Sequence, residues 1–329
     1  MGLKVYESFL GALYGTAIGD ALGMPTTFLS REEIKKRYGF VDSFLEPPAD
    51  SVVHSGLKPG TYTDDTELTF ALARAIIRAK KVDPRVVAEE LIGWADENRA
   101  LEGNIIGPST RKAIQLLKEG TPVESSGKEG TTNGCAMKIS VVGLFDHSKS
   151  FERLFKDVVS ACMPTHNTSI AISGAIAIAT SVKLAVEGVS PESIVKQAVI
   201  QAEMAGKLMN GLSVADRIKE ALKVEGKDDQ EYLDRLYDFL KEPAGALTED
   251  AVPAAISIFL RAGGDFRRSV LLACNLGGDS DTVGAMVGAI AGSYSGFASI
   301  PKEWIRTADM NSKTDIRKLA RDLLDVSEH

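Results

Sequence analysis

Along most of the chain, apolar positions recur every three or four residues, the spacing of an α-helix with one buried face. Residues 67–80 put Leu68, Leu72, Ala75, Ile76 and Ala79 on one side. Residues 84–97 open with Pro84, suited to a first helical turn, and continue with Val87, Leu91 and Trp94. Residues 168–187 are rich in Ala and Ile and carry no charge before Lys183, which predicts a helix buried all round. Amphipathic helices are predicted over 191–208, 214–223, 230–241, 251–263 and 266–276. No series of alternating β-branched runs separated by turns occurs, so no sheet is predicted. The expected fold class is all-α: a compact, many-helix, single domain over residues 1–329, because no linker or low-complexity tract divides it. Two stretches, 25–61 and 103–133, read as long loops, which in compact domains are often functional.

Two predicted helices carry glycine in the same unusual pattern. Gly11, Gly15, Gly19 and Gly23 recur every four residues near the start, and Gly284, Gly288, Gly292 and Gly296 do so near the end. Each glycine inside a helix costs about 1 kcal/mol relative to alanine, so a run of four calls for compensation. Residues four apart share a face, and a face without Cβ atoms admits a second backbone at close range. The repeats therefore predict two helices that cross tightly, plausibly against each other, at the centre of the domain. Packing alone is the simpler use of such a face. The acidic clusters beside it suggest a second one.

Composition narrows the possible functions. Net charge is −7, from 38 Lys+Arg against 45 Asp+Glu, which excludes nucleic acid as the main partner. The N-terminal segment lacks a signal-peptide layout, and the apolar run 283–294 is too short and too rich in Gly and Ser to span a bilayer. A soluble, cytoplasmic protein is expected, with its oligomeric state left open. Cys135, Cys162 and Cys274 are odd in number, widely spaced and outside any metal-binding pattern, so three reduced thiols are expected.

The chemistry is concentrated in two acidic clusters. Thr63-Asp64-Asp65-Thr66-Glu67 precedes one predicted helix, and Gly277-Gly278-Asp279-Ser280-Asp281-Thr282 precedes the second glycine helix. Helix capping is the simple explanation, since Asp, Ser and Thr are favoured caps and carboxylates suit a helix N-terminus. Each cluster nevertheless offers two carboxylates and flanking hydroxyls, more than one helix end uses. The alternative is a hard divalent cation, which takes about six oxygen ligands. If the clusters meet, Asp64, Asp65, Asp279 and Asp281 would repel one another strongly unless cations lay between them. Asp20, inside the first glycine helix, is expected to be a buried, hydrogen-bonded support.

Four segments together, 11–23, 62–66, 132–137 and 275–282, resemble the ADP-ribosylglycohydrolase family. The matching blocks run from the first helix to about Gly296, in the family's order. The resemblance implies an all-helical hydrolase that cleaves an N-glycosidic bond to ribose in an ADP-ribosylated substrate. It implies two magnesium ions, with manganese as the alternative, held by Thr63, Asp64, Asp65, Asp279, Asp281 and Thr282. Asp65 and Asp279 would serve catalysis through water held at the cations. Asn133 and Gly134 would contact the ligand's ribose-phosphate portion, and His166, in a segment lining the same cleft, would serve either as a structural support or as a ligand contact. One position departs from the family pattern. Thr27 stands where a glutamate that acts in acid/base work is expected, and threonine is no general base near neutral pH. Glu67, a carboxylate in the Glu46 loop, or water activated at the cations could take over. Otherwise the chemistry is directed at a small riboside or ADP-ribose derivative instead of an ADP-ribosylated protein, or the chain is a non-catalytic ADP-ribose-binding relative.

Overall fold

The two glycine helices lie against each other in antiparallel register, as is clear from what a Cβ would meet at each glycine. The computed structural model describes residues 2–242 and 245–328. In it a Cβ at Gly11, Gly15 or Gly19 would stand 2.0, 2.1 or 2.0 Å from the carbonyl oxygen of Gly292, Gly288 or Gly284. The reverse substitutions meet the same barrier, since Gly284, Gly288 and Gly292 face the carbonyls of Gly19, Gly15 and Gly11. The pairs step evenly along helices Gly2–Gly23 and Ser280–Ser295. At one end Gly23 meets the Ser280 carbonyl. At the other, Gly296 lies just past its helix at φ +78°, a C-terminal stop that glycine adopts without strain, so its contribution is conformational. Backbone–backbone contact over three turns gives each helix the packing that compensates for its weak propensity.

Seventeen α-helices, with no named strand among the described residues, surround this pair. The periodic segments appear close to their predicted limits, as helices Asp64–Ala79, Pro84–Glu97, Ser169–Val186, Pro191–Leu208, Ala215–Ala221, Asp229–Phe239, Thr248–Arg261 and Phe266–Cys274. Ser169–Val186 is long and apolar enough to cross a membrane, with mean hydropathy 1.8, so 283–294 is not the nearest approach to such a segment. Its residues from Ala171 onward are buried among other helices, as its composition predicts. The two stretches read as loops each hold a helix. Arg31–Tyr38 starts from a reciprocal cap in which Ser30 and Glu33 satisfy each other's backbone N–H groups. Pro108–Lys118 starts from proline after Gly107.

The cysteines correct an expectation. Cys135 and Cys162 form a disulfide with Cα atoms 5.5 Å apart, and only Cys274 is free. The partners lie 27 residues apart, and only the fold brings the segment after Gly134 onto the end of helix Phe151–Cys162. In the chain-entropy account, a cross-link closing a loop of this size stabilises by about 3–4 kcal/mol.

A buried acidic pair lies outside the cluster beside the glycine helices. The Asp146 carboxyl is fully buried against Asp157, which also bonds Arg153 Nε at 2.7 Å. Burial, then the Asp157 charge, pushes the Asp146 carboxyl from 3.8 up to about 7. A carboxyl raised on folding contributes stability at acid pH that is lost as pH climbs through its folded value. Stability should therefore fall between about pH 4 and pH 7, and Asp146→Asn should flatten that slope. Urea titrations of both proteins across this range check it, and parallel curves would reject it.

Candidate metal centre

The end of the first glycine helix, the start of the second, and the N-terminus of helix Asp64–Ala79 meet at one point. Asp20 is what joins them. Its buried carboxylate accepts hydrogen bonds from the backbone N–H groups of Thr63 (2.9 Å) and Thr66 (3.1 Å). It also accepts from the Thr63 and Thr66 hydroxyls at 2.9 and 2.6 Å. Asp20 thus does from a neighbouring helix what a cap does, and Thr63 at the N-cap position makes no side-chain cap bond of its own. The capping explanation for Asp64 and Asp65 loses its motive, because these donors are already satisfied. Asp20 is the buried support the sequence predicts.

Asp64, Asp65, Asp279, Asp281 and Thr282 line a single cavity of about 420 Å³, a size that accepts a small organic ligand. Asp65, Asp279 and Asp281 are each less than one-tenth exposed. Oxygens of Asp20, Asp65 and Asp281 lie within 4.8 Å of one another. Thr63 is the exception in the predicted set. It is buried behind the wall, with its hydroxyl turned to Asp20 and, at 3.2 Å, to Asp65.

Electrostatics gives this cluster its meaning. Burial pushes the carboxyls of Asp20, Asp64, Asp65 and Asp279 upward, and the Asp281 charge beside them pushes further, to about 7 for Asp20 and about 8 for Asp64. Asp281 alone is held below its ordinary range. Burial raises it too, but the hydrogen bond and charge of His54 and the hydrogen bond from the Thr282 backbone N–H outweigh that. Five carboxylates so placed cannot all be ionised without countercharge. The buried Asp65 Oδ1 moreover has no hydrogen-bond partner. An orphaned carboxylate oxygen on the wall of an acidic cavity fits a cation ligand, and the all-oxygen donors of these aspartates and Thr282 suit a hard divalent ion.

Beside Asp279 the wall is a loop fixed from behind. Asn133 and Gly134 line the cavity, and Asn133 Nδ2 donates to Asp279 Oδ2 at 2.6 Å. The Asn133 N–H donates to the Ala246 carbonyl at 3.1 Å, and the fully buried Lys138 donates from Nζ to the Gly134 carbonyl at 2.6 Å. Burial pulls the Lys138 ammonium down to about 7, against the attraction of Asp64 and Asp65. His166 is not among the cavity-lining residues, and of its two expected roles the geometry fits the structural one. Its ring packs beneath Gly134, where a Cβ would stand 2.8 Å from Cε1. Its nitrogens share hydrogen bonds with the hydroxyls of Thr165 and Thr132 at 2.8 and 3.0 Å. The small glycine lets the loop lie flush on the imidazole, so His166 supports the wall and is covered by it.

Thr27 does line the cavity, and its hydroxyl donates to the Gly23 carbonyl at 3.2 Å. Neither Glu67 nor a carboxylate of the Glu46 loop, the side chains suggested in place of the missing glutamate, is on that lining. Glu67 is held among Lys313 and Arg74, and Glu46 is exposed. Instead the structure adds His54, which sequence reasoning missed. Its Nε2 lies 2.8 Å from Asp281 Oδ2 on the same wall. The only signal for it was a histidine within a long loop.

The relatives of this all-helical scaffold, with its carboxylate-lined cavity at the crossing of the central helices, place it among the glycosyl hydrolases. The model of the ADP-ribosylglycohydrolase family matches residues 1–329, and the chain belongs to that family. It is 33% identical to YegU of Escherichia coli over 320 residues, covering 95% of each. It is 25% identical to the ADP-ribosyl-dinitrogen reductase glycohydrolase of Rhodospirillum rubrum, covering 98% of this chain and 97% of that one. A solved structure titled as an ADP-ribosylglycohydrolase-related protein complex superimposes with TM-score 0.71 at 26% identity, over 98% of this chain and 99% of that one.

Proposed function

We propose that this protein hydrolyses the N-glycosidic bond between a ribose and its aglycone in an ADP-ribosylated substrate, with magnesium held by Asp64, Asp65, Asp279, Asp281 and Thr282. The observation that carries this reading is the convergence of those four carboxylates on one cavity, with Asp65 Oδ1 buried and unpartnered. Family membership and the name of the Rhodospirillum rubrum relative support the substrate class.

Cleavage of such a bond passes through an oxocarbenium-like state, so the enzyme must hold the ribose while positive charge builds on it. Bound magnesium supplies positive charge that orients sugar hydroxyls and lowers the pKa of a water. The protein's own groups do the rest. Asn133 holds Asp279 in place, Lys138 fixes the Gly134 carbonyl and with it the loop on the cavity wall, and Asp20 fixes the Asp64–Asp65 turn. Ile105, Ile106 and Pro108 form an apolar wall that limits water around the reacting bond.

A second reading has its own observation. Thr27 on the wall, with no glutamate there, supports the same chemistry directed at a small riboside or ADP-ribose derivative. One set of assays separates them: ADP-ribose release from ADP-ribosylated arginine on a protein, against cleavage of small ribosides, with magnesium and with chelator. The first reading expects magnesium-dependent release from protein. Turnover of small ribosides alone establishes the second. Equal rates in chelator reject the metal requirement in both. At 100 times its dissociation constant, magnesium should stabilise the fold by about 2.7 kcal/mol.

A further inference from the structure

We propose that helix Pro191–Leu208 is the contact face of a homodimer, in which a second copy of this chain packs antiparallel on the same helix across a two-fold axis. The inference stands apart from the metal centre, since no residue of this helix lines the cavity. Large exposed apolar side chains gather here. Ile200, Met204, Leu208 and Leu212 recur every four residues, with exposures that rise from 37% at the first to 73% at the last. Residues four apart share a helix face, so the first three form a stripe, and Leu212 continues it beyond the helix end. Ile194, Ala198, Ala202 and Ala205 occupy the other face and are buried. A contiguous exposed apolar stripe rimmed by charge marks an interaction surface.

The charges beside the stripe select its occupant. Glu192, Lys196, Glu203 and Lys207 flank it on the same side of the helix, in the order negative, positive, negative, positive. They lie symmetrically about the point between Val199 and Ile200. A second copy turned end for end about that point sets Glu192 against the partner's Lys207, and Lys196 against the partner's Glu203. Every contact then joins opposite signs, whereas a parallel pairing in the same register sets like against like. A two-fold axis brings one patch onto its own copy, which is the arrangement these charges fit. Ile200 stands at the axis and Met204 one turn away on either side. The four charges cancel, so the face offers no attraction to an anionic membrane or to a partner of one strong sign. Glu203 also pairs with Lys207 and Lys219 of its own chain, at 2.7 and 3.5 Å. Exposed pairs of this kind add little to the fold.

Sedimentation equilibrium of the full-length protein, from micromolar to near-millimolar concentration, should show the mass passing from one chain to two. Ile200→Lys and Met204→Glu should each raise the dissociation constant at least about 10-fold, because pairing would bury an unpaired charge. Both side chains are exposed in the single chain, so circular dichroism and melting at low concentration should stay close to wild type. Lys196→Glu and Glu203→Lys should each weaken the dimer when alone. An equimolar mixture of these two variants should recover affinity toward wild type, because in the mixed dimer every contact again joins opposite signs. A mass of one chain at every concentration overturns the proposal, and co-sedimentation of that single chain with phosphatidylcholine vesicles would assign the stripe to a membrane instead. A dimer indifferent to Ile200→Lys and Met204→Glu lies on another face and also overturns it. A mixture no tighter than either variant alone rejects the antiparallel pairing, and the proposal with it.

Discussion

Gly288→Ala should destabilise the protein by about 3 kcal/mol or more, and Gly288→Leu should leave little folded protein. Overpacking a tight core typically costs about 1–3 kcal/mol because side chains shift to relieve it. Here the added Cβ stands 2.1 Å from the Gly15 carbonyl oxygen and 2.7 Å from its carbon, so the obstacle is backbone. The helices cannot separate locally, since the pairs Gly11–Gly292 and Gly19–Gly284 hold the contact on both sides. Gly93 is the control. It sits inside helix Pro84–Glu97 with nothing within 4 Å of an added Cβ. Gly93→Ala should therefore stabilise by up to about 1 kcal/mol through helix propensity alone. Urea unfolding of the two variants checks both signs together. A Gly288→Ala protein as stable as wild type would mean that the helices do not cross at these glycines.

These contrasts show what the sequence could disclose. Periodicity is a local property, and the helices it predicts appear with ends shifted by at most three residues, as in Thr248–Arg261. The glycine repeats carried one step of tertiary information, because a face stripped of side chains has little use except close approach. Helices Arg31–Tyr38 and Pro108–Lys118 escaped notice because each is short and sits among prolines and glycines that read as loop. The local signals were the Ser30–Glu33 capping pair and Pro108 after Gly107. The acidic clusters were legible as clusters, but their meeting in one cavity depends on helix ends far apart in sequence.

The misses share one cause. Cys135 and Cys162 pair, and His54 reaches Asp281 from a loop. Each depends on where two distant backbones come to rest, and spacing along the chain carries no record of that. Asp20 is the instructive exception. Its burial inside a glycine-faced helix made the need for partners evident, although which donors would supply them, Thr63 and Thr66, was not.

Asp65→Asn should separate stability from function. In the metal-free protein, Asp65 is buried beside Asp281, Asp20, Asp64 and Asp279, and burial together with their charge pushes its carboxyl well above the usual range. A neutral amide of the same shape removes that repulsion and keeps a carbonyl to accept from Thr63 Oγ1, which bonds Asp65 Oδ2 at 3.2 Å. The metal-free variant should therefore melt at or above the wild-type temperature. Magnesium should no longer raise that temperature, because the unpartnered oxygen that would face the cation has lost its charge. Turnover should drop by at least about 10²- to 10³-fold, as when a preorganised electrostatic group is removed from an active site. A residue that merely finished its helix would behave in the opposite way. Its loss would lower the metal-free melting temperature by the worth of a cap, about 1 kcal/mol, and leave turnover and the response to magnesium intact. Melting curves with and without magnesium, read beside the hydrolysis rate, distinguish the two patterns.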